Sequence, residues 1–226
     1  MEQGTPGHDR PLVTVDVVIF TLRAGSLQVL LVRRKRPPCE AMWAIPGGTI
    51  GSAEDLEAAA VRTLKEETGL GDVFLEQLYT FGAPDRDARG RVITVSYFAV
   101  VPASELVPGA EDSERVRWWP ITALPPLAFD HGAILSYALT RLRYKLEYTA
   151  VGFELLPDVF TLSELQSAYE IVLGEALDKR NFRRKILSAG VLEPSGGLRA
   201  GEGRPARLYR YREDAVAEVK ARRLFP

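Results

Sequence analysis

Two runs near the start of the chain, Leu12 to Leu22 (LVTVDVVIFTL) and Leu27 to Arg33 (LQVLLVR), are rich in Val, Ile and Leu. The turn signal Ala24-Gly25-Ser26 separates them, which predicts a buried hairpin. Pro37, Pro38, Pro46, Gly47 and Gly48 then punctuate a loop. Ser52 to Thr68 reads as a helix, with Ser52 as its N-cap and Gly69 as its stop. Strand-like runs follow at Val73 to Phe81, Val92 to Val101 and Arg115 to Trp119. A second helix is predicted from His131 to Leu146, because Ile134, Leu135, Ala138, Leu139 and Leu142 fall on one stripe. Arg141, Arg143 and Lys145 lie on its polar side and read as a solvated face. Strands around one helix, then a second helix, predict a mixed α/β layer.

Beyond that helix the pattern changes. Tyr148 to Asp158 reads as short and extended, so a boundary is placed near 150, between a domain of residues 10–150 and one of residues 151–226. Thr161 and Glu164 form a capping box ahead of a helix carrying Leu162, Leu165, Tyr169, Val172 and Leu173. Gly174 stops that helix and Asp178 caps the next, which Phe182 and Ile186 anchor. Lys179, Arg180, Asn181, Arg183, Arg184 and Lys185 occupy its remaining surface. Helix, short turn and basic helix is the helix-turn-helix order, whose second helix enters the DNA major groove. Two short strands around a glycine-rich tip follow and read as a wing, where Arg204 and Arg207 are candidates for phosphate or minor-groove contact.

Charge sharpens this division. The net charge of the 226 residues is −1, yet Asp178 to Arg212 carries ten basic residues against three acidic ones. A window of +7 on a remainder of −8 points to a local polyanion contact. At 46% hydrophobic and 26% charged the composition is that of a globular chain, and no apolar run approaches the ~18 residues of a membrane helix. A polar start, a single cysteine (Cys39) and no Cys/His cluster lead to the expectation of a cytoplasmic protein without disulfide or zinc.

The helix after Gly48 carries the chemistry. Glu54, Glu66 and Glu67 offer the hard oxygen ligands that Mg²⁺ prefers, and Gly47-Gly48 lets a ligand approach the backbone. Helical geometry places Arg62, Thr63, Glu66 and Glu67 on one side and Glu57, Ala60, Val61 and Leu64 on the packing side. An acidic helix alone is usually just solvated, but here its spacing resembles the Nudix box. Gly48, Glu54, Arg62, Leu64, Glu66, Glu67, Gly69 and Leu70 match the pattern, and Trp43 to Gly48 resembles the segment leading into it. The resemblance implies an α/β/α sandwich that binds a nucleoside diphosphate linked to another group. One position departs: Thr63 stands where the family has the glutamate after the arginine. A hydroxyl is a poor base and a weak ligand, so at most a weak Mg²⁺ site is expected and no catalytic residue is assigned.

The loop from Phe81 to Val92 resembles that of Nudix enzymes acting on ADP-ribose. Gly47, Gly48, Arg62, Asp85, Arg86 and Arg89 are therefore the candidate effector-binding residues, with Arg86 and Arg89 as a phosphate clamp. Gly152 to Pro157, Phe160 to Gln166 and Leu177 to Lys185 resemble the winged-helix segment of Nudix-related transcriptional regulators of NAD metabolism. That resemblance implies a homodimeric repressor on a palindromic operator, with ADP-ribose or a related nucleotide as effector. Two alternatives stay open: an active Mg²⁺-dependent ADP-ribose pyrophosphatase, and a regulator of the same build that senses a sugar.

Overall fold

The computed structural model describes residues 10–71, 73–103, 114–148, 151–200, 205–212 and 215. The expected hairpin opens it as β1 (Leu12–Arg23) and β2 (Ser26–Arg33). Its two turn residues, Ala24 and Gly25, both take positive φ (49° and 71°), as a tight two-residue hairpin requires. Then come β3 (Trp43–Ala44), β4 (Gly47–Thr49), α1 (Leu56–Thr68), β5 (Glu76–Phe81), β6 (Val92–Val100), β7 (Val116–Pro120) and α2 (His131–Tyr148). The sheet runs β3-β2-β1-β6-β5, with β4 also on β1 and β7 on β2. Among these strand pairings only β1–β6 is parallel.

Alternation along β1 explains the layers, because successive side chains leave a strand on opposite faces. Val15, Val17 and Ile19 pack with Ala59, Ala60 and Leu64 of α1. Val18 and Phe20 pack with Ile134, Leu135, Ala138 and Leu142 of α2. The result is the expected α/β/α sandwich.

The second half comprises α3 (Val151–Glu154), β8 (Phe160–Thr161), α4 (Leu162–Leu173), α5 (Lys179–Ser188), β9 (Leu192–Arg199) and β10 (Ala206–Tyr211). Its sheet order is β8-β10-β9, so α4 and α5 stand beside a wing. The capping box forms as read: Thr161 accepts the Glu164 N–H, and the Glu164 carboxylate accepts the Thr161 N–H at 2.8 Å. Gly174 ends α4 in the left-handed region, and the Asp178 carboxylate accepts the Asn181 N–H at 2.7 Å to start α5. Phe182 and Ile186 are buried, each contributing about 1.5–3 kcal/mol to docking α5. The core of this half is continuous with the α2 side of the sandwich, through Leu146, Phe153, Leu155, Phe160 and Tyr169.

The structure corrects four local readings. Asp55, not Ser52, caps α1, accepting the Ala58 N–H at 2.8 Å. Ser52 lies in an exposed turn closed by Glu54, whose backbone N–H donates to the Gly51 carbonyl. Next, α1 is rotated from its expected facing: Glu57 and Val61 are exposed, while Thr63 is buried under β4. Within Tyr148 to Asp158 the chain forms the short helix α3 rather than an extended segment. Finally, the basic side of α2 bridges its neighbours. Lys145 pairs with Glu76 of β5, and Arg143 Nε donates to the Val172 carbonyl of α4 at 2.9 Å.

Candidate functional site

Where β1, β2 and β4 meet the loop before β6, a cleft of about 500 Å³ opens. Arg33, Arg34, Lys35 and Arg36 run along its wall as β2 ends, Arg115 enters ahead of β7, and Arg86 and Arg89 come from the loop. Against these seven cations the lining offers Asp16, Glu67 and Asp87. A concave surface with this excess focuses a positive potential, which suits a phosphorylated or otherwise polyanionic ligand.

The floor is tightly built. Asp16 is buried in β1 directly opposite Gly47, and a Cβ at Gly47 would stand 2.1 Å from Asp16 Oδ1 and 2.9 Å from the Val15 carbonyl. The Val15 carbonyl is sheet backbone and cannot move aside, and the Asp16 carboxylate is buried with little room to turn. Gly47→Ala is therefore expected to destabilise the protein by about 1–3 kcal/mol in chemical denaturation, the usual cost of overpacking. Gly132→Ala is the control: it lies in α2 with nothing within 4 Å of the added methyl, so it should be neutral or stabilising. The Gly47 N–H donates to Glu67 Oε2 at 3.2 Å. Burial pushes the Glu67 carboxyl up, and this hydrogen bond with Arg115 and Arg34 opposes the shift.

His131, the first residue of α2, is buried and accepts the Ile45 N–H on Nδ1 at 2.9 Å. Burial lowers its pKa, so the ring is neutral near pH 7 with its proton on Nε2, 3.8 Å from Asp16 Oδ1. Beside it Phe129 holds φ at 52°, a conformation that costs a bulky residue about 1–3 kcal/mol. The guanidiniums of Arg34 and Arg89 lie 4.5 Å and 5.6 Å from the Phe129 ring centre.

The sequence-derived candidates divide. Gly47, Gly48, Glu67, Arg86 and Arg89 line the cleft; Arg62, Asp85, Glu54 and Glu66 do not. Arg86 is buried and its fork is bound by Asp130, at 2.9 Å and 2.7 Å, with Asp16 Oδ2 at 3.7 Å. Arg89, on the rim, forks Asp87 at 2.6 Å. Arg62 grips both Glu54 oxygens (2.7 and 2.8 Å), reaches Glu66 at 3.2 Å, and holds Glu54 down at a pKa of about 2. Arginine thus stands between two of the three expected metal ligands, and the third faces Gly47. Thr63 lies under Gly48, its hydroxyl buried with no hydrogen-bond partner among the described residues. No group of three His, Cys, Asp or Glu side chains that would hold a metal exists among the described residues. The arrangement does not fit a magnesium centre.

Arg33 to Arg36, Arg115, Asp16, Phe129 and His131 were not singled out from sequence. The run RRKR carried a signal, four consecutive cations at a strand end. The others reach the cleft only through tertiary packing.

In the second half, Lys179, Arg180 and Arg184 of α5 are exposed, while Asn181, Arg183 and Lys185 are half-buried. Arg183 donates to Ser163 Oγ at 3.0 Å and Arg184 to Asn181 Oδ1 at 2.8 Å. Arg207 is exposed on β10, and Arg204 lies outside the described residues.

Over 208 residues the chain is 42% identical to the "ADPR responsive transcriptional repressor NtrR" of Acinetobacter baylyi, covering 90% of this chain and 83% of that protein. The chain belongs to the NrtR family. The NUDIX domain model matches residues 11–138, and the model of the NrtR DNA-binding winged helix domain matches residues 152–211. Among solved structures, Shewanella oneidensis NrtR complexed with a 27mer DNA superposes with a TM-score of 0.83 at 38% identity, covering 94% of this chain and 99% of that one. The NUDIX domain of the same NrtR complexed with ADP ribose gives 0.52 at 38% identity, covering 59% and 89%. A Methanocaldococcus jannaschii ADP-ribose pyrophosphatase is 38% identical over 126 residues, covering 56% of this chain and 72% of that enzyme. Both halves of the NrtR build are thus present, and among the described residues no helix is long and apolar enough to cross a membrane.

Proposed function

We infer that this chain is a transcriptional repressor of NAD biosynthesis or recycling genes whose DNA affinity is set by ADP-ribose. The observation that carries the reading is the cationic cleft of the Nudix half, walled by the first residue of the helix that docks the winged half. Labour divides near residue 150: residues 10–150 bind the effector and residues 151–226 bind DNA. Two copies on a palindromic operator would set their α5 helices in half-sites about one helical turn apart. The excess of cations favours a diphosphate over a neutral sugar.

Among the described residues Lys35 and Arg36 make no side-chain hydrogen bond, whereas Arg86 and Arg89 are held by Asp130 and Asp87. The diphosphate would therefore lie on the Arg33-to-Arg36 wall, with Arg86 as a strut. The test is calorimetric titration of ADP-ribose into the full chain. Binding in the micromolar range supports the reading, and no binding by a folded protein sinks it.

A second reading, an Mg²⁺-dependent ADP-ribose pyrophosphatase, draws on the likeness to the Methanocaldococcus jannaschii enzyme. Arg62 between Glu54 and Glu66, and Thr63 packed under Gly48, speak against it. With Mg²⁺ and ADP-ribose, AMP release should fall far below the ~10 s⁻¹ typical of enzymes. Thr63→Glu should not restore it, because a carboxylate there is buried under backbone with no partner. Wild-type turnover near that typical value would make the chain an enzyme.

A further inference from the structure

The wing carries an exposed apolar residue that the domain's own packing does not use. Leu198, near the end of β9, is 67% exposed. It stands directly across the ladder from Arg207, so both side chains leave the same face of the hairpin. The opposite face is occupied: Gly197 lies against Leu208, and Arg199 pairs with Glu164 of α4. Arg210 pairs with Glu193 further down. Among the described residues, Leu198 and Arg207 are what the outer face presents towards its tip.

The position of this pair follows from α4. Its first turn receives Arg183 of α5 on Ser163 and Arg199 of the wing on Glu164, two adjacent residues. The wing and the basic helix are thereby both fixed to one turn of one helix. An arginine beside an exposed leucine matches minor-groove recognition, where a cation follows the narrow groove and an apolar side chain enters between base steps.

We propose that Leu198 is a wedge that inserts into the minor groove beside Arg207 and unstacks a base step when α5 occupies the major groove. This rests on the DNA-binding reading above. The two substitutions should separate by mechanism, since Leu198 acts through stacking and shape and Arg207 through phosphate charge.

The test uses the full chain and a 27-base-pair duplex selected by the wild type from a random library, with 2-aminopurine scanned across the flanking steps. Wild-type binding should brighten the probe at one step per half-site. Leu198→Ala should abolish that signal, weaken binding about tenfold and leave the salt dependence unchanged. At 67% exposure this substitution leaves the fold intact. Leu198→Lys should bind more steeply in salt and still lack the signal. Arg207→Ala should lower the salt slope by about 1. No brightening with the wild type, or brightening that survives Leu198→Ala, overturns the wedge while the DNA-binding reading stands. A wild type that selects no duplex at all overturns that reading, and this inference with it.

Discussion

Replacing Arg180 and Arg184 together with alanine is expected to weaken duplex DNA binding by about thirtyfold or more, at roughly 1–3 kcal/mol for each arginine. Both are exposed on α5, within the window of net +7, and α5 is held in place by Phe182 and Ile186 on its other side. The slope of log affinity against log salt should fall by about 2, at roughly 0.9 for each phosphate left without its cation. Thermal stability should stay within the ±0.5 kcal/mol usual for surface changes. Arg183 is a different case, because its fork ties α5 to Ser163. Its removal would confound a weaker grip on DNA with loosened packing. Electrophoretic mobility shift across a salt series decides the matter. A double variant that binds with the parent's affinity and slope would mean that α5 does not meet the DNA.

What could be read from the sequence was local or periodic. The capping box at Thr161, the stop at Gly174 and the cap at Asp178 are short-range hydrogen-bond patterns, and all three formed as read. The anchors Phe182 and Ile186 are neighbours at helical spacing, and both are buried. The Nudix pattern located the helix and the glycines, but not which way the helix faces. Thr63 and Val61 exchanged burial because β4 crosses over Thr63, and that contact spans fifteen residues of chain.

The cleft was half legible for a related reason. Arg86, read as half of a phosphate clamp, lines the cleft with its fork already engaged. Its partner Asp130 is 44 residues away, and spacing says nothing about such a pair. The Arg33-to-Arg36 run reads in isolation as a solvated stretch. It becomes a wall only because β2 pairs with both β3 and β7, and because Arg34 is turned inward by its bond to the Pro38 carbonyl and its contact with Phe129. Arg143 and Lys145 failed in the same way, while Arg141 stays exposed as read: a charged face on a helix looks solvated until the elements that cover it are known.

That covered face supplies the route for the largest effect expected of the intact molecule, a coupling between effector and DNA. A ligand shifts DNA affinity only if it binds the DNA-competent and incompetent states unequally. Asp130, just ahead of α2, holds Arg86 of the cleft, and His131 forms part of the cleft wall. The 18 residues of α2 extend about 27 Å from there. At the far end Arg143 binds the Val172 carbonyl of α4, and Leu146 packs at Gly152, where an added Cβ would stand 2.8 Å from Leu146 and 2.6 Å from Tyr169. There is no slack at this joint, so a tilt of α2 must carry α4, and with it the turn that orients α5 and the wing. In a dimer the spacing of two α5 helices would change against a fixed operator. Coupling of this kind is typically about 1–3 kcal/mol, so ADP-ribose should change operator affinity roughly 5- to 150-fold. By linkage the operator must change ADP-ribose affinity by the same factor. Arg143→Ala lies far from the cleft and should leave ADP-ribose affinity without DNA as it was, while drawing the coupling factor towards one. Titrating ADP-ribose with and without operator, for the wild type and this variant, measures both. Equal ligand affinities with and without DNA in the wild type would mean that the Nudix half does not regulate the winged half. Full coupling in Arg143→Ala would mean that the signal takes another path.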